Sequence, residues 1–286
     1  MEAKVAIIMR TKNRLILLNR AIQSVISQTY DNWEIQLINN GGDIVQLQHL
    51  LKQYGSDVLK KIKVTHTKSD LYMEVATNIG LANSKAEYIT LLDDDDTWSP
   101  DFLRVCIESL EENKEFDGVV TLTYLIHEEI FNGNITQKFK TIFNPKLKRV
   151  SLLKIAKGNL FTTNSFVYRR KALGLTGEYR EDLPVLGDWE FNIRFIFNCN
   201  VGVITEPLSN YHKRIVYDNS SYNNSNIQQH IQYDYKLRME YFRKIFKGGY
   251  FILGFTMLSF GFVNSFKRLV KKIIKRFNWI ANLNSK

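Results

Sequence analysis

The chain has 286 residues, of which 44% are hydrophobic and 24% charged, and this composition excludes a disordered or fibrous protein. Its formal charge of +10 is concentrated at one end: residues 236–286 contain twelve Lys or Arg and one acid, which leaves 27 basic and 28 acidic residues in residues 1–235. A nearly neutral body argues against nucleic-acid binding, which requires basic residues along a phosphate backbone.

Short apolar runs and helical patterns alternate through the first hundred residues. Residues 5–9 and 34–38 are typical of buried strands, and between them apolar residues recur at the three- and four-residue spacing of a helix packed on a sheet. A strand at 62–65, a helix at 74–84 and a strand at 88–92 continue the alternation. This order predicts an α/β fold with a mainly parallel central sheet and helices on both faces, whose ligands bind at the carboxyl ends of the strands.

The second half of the chain continues the pattern less regularly. In chain order we predict a helix at 101–112 that Ser99 caps, strands at 119–126 and 166–169, a helix at 189–197 and a strand at 201–204. The two cysteines, Cys106 and Cys199, lack metal-type spacing and are expected to be small core residues. No signal peptide precedes the first strand pattern, so we expect a protein of the reducing cytoplasm.

Four consecutive aspartates, at 93–96, follow the predicted strand at 88–92. Adjacent carboxylates repel one another, so such a cluster needs a cation or several hydrogen-bond donors to hold it in place. Alternate residues of an extended segment point the same way, and Asp93 and Asp95 can therefore converge on one ligand. Carboxylate oxygens of this kind suit Mg²⁺ or Mn²⁺ bound together with a diphosphate. A solvated acidic turn is the alternative.

Several motifs, taken in order, resemble those of the inverting glycosyltransferases of family 2, which have the Rossmann-like GT-A fold. The motifs are residues 8–14 (IMRTKNR), 24–30 (SVISQTY), 33–35 (WEI), 78–82 (NIGLA), 86–89 (AEYI) and the DxD motif Asp93-Asp94-Asp95. The resemblance covers about residues 4–215. It implies a GT-A domain over 1–215, with a nucleotide-sugar-binding half at 1–98 and an acceptor-binding half at 99–215, followed by a helical C-terminal extension at 216–286.

The family's activity is the transfer of a sugar from a nucleotide diphosphate sugar, here expected to be UDP-linked, to a hydroxyl of a glycan or lipid-linked acceptor, as in surface polysaccharide biosynthesis. The resemblance implies that Asp95 and Asp93 hold the metal, Mn²⁺ or Mg²⁺, and that His212 completes the metal shell or meets the diphosphate. Arg214 is a weaker phosphate-binding candidate. Residues implied at the nucleotide sugar are Thr11, Asn13, Asn39, Asn78, Asp93 and Asp94.

Two positions depart from the family's pattern. The sequence Asn39-Asn40-Gly41-Gly42-Asp43 stands where many members have Asp-Asp-Gly-Ser, and Thr77 stands where an Arg is common before Asn78. Asn can both donate and accept hydrogen bonds, so base recognition survives in principle. The change at residues 39–43 alters the groups that would read the base, and Thr77 cannot make the phosphate contact that an Arg would offer.

An inverting transfer needs one carboxylate that takes the acceptor's proton while the acceptor oxygen attacks the anomeric carbon. Asp188, which precedes Trp189, matches the family's base position. Local sequence alone allows Asp188 to be either this base or the cap of a helix beginning near Trp189, and the resemblance favours the base. Glu190 is the reserve candidate.

The C-terminal tail has a membrane-binding pattern. Residues 248–266 carry no charge, and residues 266–277 place apolar and basic side chains at helical spacing, as in a basic amphipathic helix on an anionic membrane surface. We therefore expect a cytoplasmic enzyme held peripherally at the inner face of a membrane. A short membrane span and packing on protein are the alternatives.

Three other functions stay open at this point. A polyprenyl-phosphate sugar transferase would use the same donor but a phosphate acceptor. A catalytically inactive scaffold would keep the fold alone. A nucleotidyltransferase also uses aspartates and a metal after a strand, but releases pyrophosphate.

Overall fold

The structure, a computed structural model, describes residues 3–131, 133–215, 227–243, 255–257 and 259–260. Its strands are β1 (Val5–Thr11), β2 (Trp33–Asn39), β3 (Ile62–His66), β4 (Tyr88–Leu91), β5 (Thr97–Trp98), β6 (Gly118–Phe131), β7 (Asn134–Phe143), β8 (Phe166–Arg169) and β9 (Val201–Ile215). Its helices are α1 (Leu15–Ile26), α2 (Ile44–Leu51), α3 (Ser56–Lys61), α4 (Met73–Ala82), α5 (Phe102–Glu112), α6 (Leu152–Ile155), α7 (Leu173–Thr176), α8 (Gly187–Asn198) and α9 (Ile227–Arg243).

Within the described residues the strands form one sheet in the order β3-β2-β1-β4-β8-β6-β9-β5, and β7 pairs with β6 outside this path. The strands β1 to β4 are parallel to one another, as are β6 and β9. Strand β8 lies antiparallel between β4 and β6, and β5 and β7 are also antiparallel to their partners. The predicted α/β class is confirmed, and the antiparallel strands β5, β7 and β8 all follow β4 in the chain.

Helices cover both faces of the sheet because successive residues of a strand point to opposite faces. Odd-numbered residues of β1, from Val5 to Met9, pack in a hydrophobic cluster with α1, α2 and α5. Even-numbered Ala6 and Ile8 pack in a second cluster that includes Leu81 of α4 and Phe191 of α8. The apolar stripe that predicted α1 is its buried face. The two clusters hold the carboxyl ends of the strands in fixed register.

Some details differ from the sequence-based expectations. Ser99 does not cap α5 with its side chain: the helix begins at Phe102, and the Ser99 carbonyl accepts a hydrogen bond from the Phe102 amide at 3.1 Å. Strand β9 continues to Ile215, well beyond the predicted 201–204. Helices α2 and α3 and strand β7 were not predicted. Strand β7 is almost wholly exposed. A strand that buries neither face does not need the regular apolar alternation by which strands are predicted from sequence.

The chain divides into two compact units, one formed by residues 1–151 and 159–225 and the other by residues 152–158 and 226–286. The segment 152–158 therefore groups with the C-terminal unit, although we expected it within the 1–215 domain. In the second unit Arg238 of α9 donates to the Ala156 carbonyl at 2.8 Å and to Asp234 at 3.1 Å.

The predicted membrane-binding segments at 248–266 and 266–277 lie outside the described residues, apart from 255–257 and 259–260. Among the residues that are described, no helix combines the length and the apolar character that crossing a membrane requires.

Candidate functional site

The carboxyl ends of β1, β2 and β4 meet at one edge of the sheet, because the three strands are parallel and adjacent. Thr11 is the last residue of β1, Asn39 is the last residue of β2, and the four aspartates follow β4. The hydroxyl of Thr11 donates to Asp94 Oδ2 at 2.7 Å. The structure thus brings predicted site residues from distant parts of the sequence together at this edge of the sheet.

Arginines neutralise the aspartate segment. Arg10 Nε and Nη2 both donate to Asp93 Oδ1, at 2.8 and 2.5 Å. Arg14 contacts both oxygens of Asp94, and its Nη1 lies 3.2 Å from Asp95 Oδ2. The sequence patterns predicted the acids but not these partners, although both arginines lie within the 8–14 motif. The repulsion expected between adjacent carboxylates is therefore relieved by guanidinium groups.

A second group of charges lies around Glu128 on β6. Arg20 of α1 donates to Glu128 Oε2 at 2.7 Å, and His212 Nδ1 lies 2.8 Å from the same oxygen. Arg214 on β9 pairs with Asp95 and lies 3.8 Å from Glu128 Oε1. Glu128 and the two arginines were not predicted as a group. They connect strand β9 to the aspartate segment.

His212 uses both ring nitrogens within the protein. Burial lowers the pKa of His212, so its ring is neutral near pH 7. Because a carboxylate only accepts, Nδ1 carries the proton toward Glu128, and Nε2 then accepts from the Thr97 hydroxyl at 3.0 Å. The backbone N–H of His212 donates to Asp96 Oδ1 at 2.9 Å. The residue predicted as a metal ligand thus positions Asp96 and Glu128 in this structure.

The buried acids of the site differ in charge. Burial and the neighbouring Asp95 raise the pKa of Asp96 well above its ordinary value, and burial likewise raises the pKa of Asp94 although Arg14 opposes it. Burial also acts to raise the pKa of Glu128, but hydrogen bonds from His212 and Arg20 outweigh it and lower that pKa to about 2. Glu128 therefore holds a permanent negative charge between its basic neighbours at neutral pH.

A cavity of about 380 Å³ opens beside the aspartates. It is lined by charged and polar side chains from both halves of the sequence and by three apolar ones: Asp93, Asp96, Leu125, Phe143, Asn159, Phe161, Thr162, Thr163, Asp188, Tyr211 and Lys213. Asp93 and Asp188, the predicted metal or ribose contact and the predicted base, thus share one cavity wall. A larger cavity of about 820 Å³ lies beside Trp33, Lys61 and Lys63, at the amino ends of the strands, and none of the predicted site residues lines it.

Asp188 does not cap helix α8. The helix begins at Gly187, the cap position is Leu186 with a left-handed φ of 65°, and no side chain caps it. Instead Asp188 Oδ2 accepts hydrogen bonds from Asn159 Nδ2 at 2.9 Å and Thr163 Oγ1 at 3.1 Å. The capping alternative is therefore wrong, because the helix starts one residue before Asp188.

Glu190, the reserve candidate for the general base, is fully buried. Both of its oxygens accept from Arg194 one turn later in α8, at 2.8 and 2.9 Å. A carboxylate held by a guanidinium group inside the protein has no access to an acceptor hydroxyl. This leaves Asp188 as the carboxylate of α8 that reaches the cavity.

The predicted nucleoside contacts Asn13 and Asn39 shape a loop. Asn13 has a positive φ of 55°, and its Oδ1 accepts from the Asp43 amide at 2.7 Å. Asn39 is buried, and its Nδ2 donates to the Gly42 carbonyl at 3.0 Å and contacts His66 Nδ1 at 3.1 Å. Both amides therefore fix residues 39–43 against the end of β1.

Asn78 acts as a clamp between α4 and the segment before α8. Its Nδ2 donates to the Tyr179 carbonyl at 2.8 Å and to Glu181 at 3.0 Å, and its Oδ1 accepts from the Tyr179 amide at 3.1 Å. The side chain predicted to meet the nucleotide sugar thus satisfies a buried stretch of backbone.

The capacity of the site for a divalent metal depends on Asp93 and Asp95. Within the described part of the chain no hydrogen bond reaches Asp93 Oδ2, whose side chain is 24% exposed. Asp95 Oδ2, in contrast, is bound by Arg14 and Arg214. No three His, Cys, Asp or Glu side chains of the described residues are arranged to hold a metal ion. The carboxylate donors suit Mg²⁺ or Mn²⁺, but further oxygens would have to come from a bound diphosphate.

Residues 6–175, more than half of the chain, match glycosyl transferase family 2. Over 130 residues, which are 45% of each protein, the chain is 29% identical to WcaA of Escherichia coli K12. WcaA is described as a candidate colanic acid biosynthesis glycosyl transferase. The chain spans less than two thirds of the length of the curated relatives it matches.

Two solved structures have the same fold. S. aureus TarS 1–349 in complex with UDP-GlcNAc superposes with a TM-score of 0.62 at 16% identity, over 83% of this chain and 66% of that one. Mannosyltransferase PcManGT from Pyrobaculum calidifontis, in complex with GDP-Man and Mn²⁺, superposes with a TM-score of 0.60 at 14% identity, over 91% of this chain and 70% of that one. The expected GT-A fold is confirmed by this likeness.

The clamp formed by Asn78 predicts a stability effect. Asn78→Ala leaves the buried amide and carbonyl of Tyr179 unpaired, and we expect it to lower the free energy of unfolding by about 2–4 kcal/mol in urea denaturation. Asn83→Ala is the matched control: Asn83 follows the same helix, is exposed and makes one side-chain hydrogen bond. Its cost should be about 0.5 kcal/mol or less. Equal stabilities of the two variants would contradict the clamp.

Proposed function

The chain belongs to glycosyl transferase family 2, and on that premise we propose that it moves a sugar from a nucleoside diphosphate sugar to an acceptor hydroxyl with inversion at the anomeric carbon. The observation that carries this proposal is the shared cavity: Asp93 and Asp188 line it together, at the carboxyl ends of the strands. Fold and cavity position agree with the rule that α/β sheets bind ligands at that edge.

Asp188 is proposed as the general base. Asn159 and Thr163 both donate to its Oδ2, which fixes the carboxylate and leaves Oδ1 without a hydrogen bond from any described residue. In the reaction, the acceptor oxygen forms a bond to the anomeric carbon while the bond from that carbon to the diphosphate oxygen breaks. The acceptor's proton passes to Asp188, and a nucleoside diphosphate leaves.

The leaving diphosphate needs positive charge. We propose that Asp93 and Asp95 would hold Mn²⁺ or Mg²⁺ together with the diphosphate, where the ion would supply positive charge to the leaving group. His212 is left out of the proposed ligands because Thr97 already occupies its Nε2. Lys213 lines the same cavity and forms no ion pair with the described residues, so its ammonium group can meet the diphosphate.

The donor is proposed to be UDP-linked, as in the complex of TarS with UDP-GlcNAc, although PcManGT holds GDP-Man. The acceptor is proposed to be a glycan or lipid-linked glycan of surface polysaccharide synthesis, for which the likeness to WcaA is the support. The basic tail, with twelve Lys or Arg in residues 236–286, supports a place at the inner face of an anionic membrane.

The role of Asp188 predicts a specific loss. Asp188→Asn keeps the shape of the side chain but cannot accept the proton, so sugar transfer should fall by about a hundredfold to ten-thousandfold. Asp182→Asn, an exposed carboxylate of the preceding loop, is the matched control and should retain activity. Affinity for the nucleoside diphosphate, measured by calorimetry, should be the same in both variants. Unchanged transfer by Asp188→Asn would refute the assignment.

The donor and metal are tested together by thermal shift. Ligands that bind the folded state raise the melting temperature, and we expect UDP or UDP-GlcNAc with Mn²⁺ to do so more than GDP or GDP-mannose. Without Mn²⁺, or in Asp95→Ala with Mn²⁺, the shift should largely disappear. A shift of full size in the absence of divalent ions would contradict the metal. Release of pyrophosphate instead of nucleoside diphosphate would indicate a nucleotidyltransferase.

Membrane association predicts selective lipid binding by the full chain. It should float with vesicles containing phosphatidylglycerol and remain behind with vesicles of pure phosphatidylcholine, since the attraction is electrostatic. Raising the salt concentration should release it. Equal behaviour toward both kinds of vesicle would contradict a basic membrane-binding tail.

A further inference from the structure

Glu74 is a buried acid that the proposed mechanism does not use. It lies in the first turn of α4, is 5% exposed, and its Oε2 has no hydrogen-bond partner in the described part of the chain. An acid in the first turn of a helix is common, because the helix dipole favours negative charge there. Such an acid normally remains in water. Burial of this carboxyl group with one oxygen unsatisfied therefore requires another explanation.

The side chain of Glu74 lies directly against Gly187. A Cβ atom placed on Gly187 would lie less than 3.0 Å from Cγ, Cδ and Oε1 of Glu74, closer than real Cβ atoms approach their neighbours. Gly187 has no positive φ, so its backbone conformation does not demand glycine. Glycine is needed because any larger side chain would occupy the space of Glu74. Gly187 is the first residue of α8, and the next residue is Asp188.

Glu74 also interacts electrostatically with Arg10, the residue that holds Asp93. Arg10 reaches the same turn of α4, where its Nη1 donates to the Met73 carbonyl at 3.3 Å and to Thr77 Oγ1 at 3.0 Å. The same guanidinium group holds Asp93 Oδ1. Glu74 therefore touches the start of the helix that presents Asp188, and its own helical turn holds the arginine that presents Asp93.

We propose that Glu74 is a positioning residue of the transfer reaction, whose carboxyl group, seated against Gly187, couples the Arg10–Asp93 pair on the donor side to Asp188 on the acceptor side. This inference rests on the proposed function, in which Asp93 and Asp188 serve donor and acceptor. Packing against Gly187 fixes the start of α8, and the charge of Glu74 acts on Arg10 and Asp188 through a medium from which water is excluded.

The charges around Glu74 support this coupling. Burial raises the pKa of Glu74, Arg10 lowers it, and the negative charges of Asp188 and Asp93 raise it, with a net value of about 7. Tyr179 also interacts with Arg10 and Asp188, and burial raises its pKa well above the ordinary value. Glu74 and Asp188 repel each other, so protonation of Asp188 by the acceptor favours ionisation of Glu74 beside Arg10.

The packing contact is tested by a pair of variants with UDP-GlcNAc and GDP-mannose as the probe donors. Gly187→Ala should displace Glu74 and lower kcat by about tenfold to a hundredfold, because small displacements of reacting groups are costly. Adding Glu74→Ala removes the clash, so the double variant should recover to the level of Glu74→Ala alone. A double variant as slow as Gly187→Ala would show that Glu74 is not what Gly187 accommodates, and would overturn the proposal.

The electrostatic role is tested by Glu74→Gln, which keeps the shape and loses the charge. We expect kcat to fall by about tenfold while the donor KM changes by less than about threefold, and the pH profile of kcat to lose its inflection near pH 7. Because the folded-state pKa of Glu74 is raised, its stabilising contribution is present below the unfolded value and lost as the pH rises through about 7. Glu74→Gln should therefore gain melting temperature relative to the wild type from about pH 5 to about pH 8. If Glu74→Gln kept the wild-type kcat and pH profile, the electrostatic role of Glu74 would be overturned and only its packing would remain.

A measurement without substrate separates this proposal from the proposed function. Carbon-13 NMR of the glutamate carboxyl groups should show a titration near pH 7 that is absent in Glu74→Gln and shifts to lower pH in Asp188→Asn. If the wild type turned over neither donor, the proposed function would fail while this titration still decided the coupling. A Glu74 titration that ignores Asp188→Asn would overturn the coupling, even in an active enzyme.

Discussion

Burial of three of the four adjacent aspartates is the constraint on which the rest of the structure depends. Residues 94–96 are almost inaccessible to solvent, and removing neighbouring carboxylates from water is costly unless opposite charges and hydrogen bonds compensate. Arg10 from β1, Arg14 from the loop after it and Arg214 from β9 supply that compensation. Because these arginines come from opposite ends of the first unit, the charge cluster links the parallel half of the sheet to its last long strand.

This arrangement has consequences for chemistry. Asp93 lines the cavity, and Arg10 holds one of its oxygens while no described residue donates a hydrogen bond to the other. In the same cavity, Asn159 and Thr163 hold Asp188 in the same manner, by hydrogen bonds to one oxygen. Asp93 and Asp188 are thus each oriented by neighbouring side chains before any ligand arrives, as electrostatic preorganisation requires.

The fold could be predicted from the sequence further than the site could. Apolar runs and helical stripes predicted the strands of the parallel half, and β8 at Phe166–Arg169, because burial on a sheet or under a helix leaves a periodic trace. The acids at 93–96 and the carboxylate at 188 were also predicted. Their partners were not, since ion pairs such as Arg214 with Asp95 join residues far apart in sequence and leave no local pattern. The amides of Asn39 and Asn78 were predicted to contact the nucleotide sugar. In the structure Asn39 donates to the Gly42 carbonyl, and Asn78 bonds the backbone of Tyr179.

The donor and the base are proposed to meet in one cavity, and a crystal structure of the chain with UDP and Mn²⁺ would show where each lies. Anomalous scattering should place manganese beside Asp93 and Asp95, and the diphosphate should lie in the cavity whose wall carries Asp188. A nucleotide bound elsewhere, for example in the cavity beside Trp33 and Lys63 at the amino ends of the strands, would contradict the account.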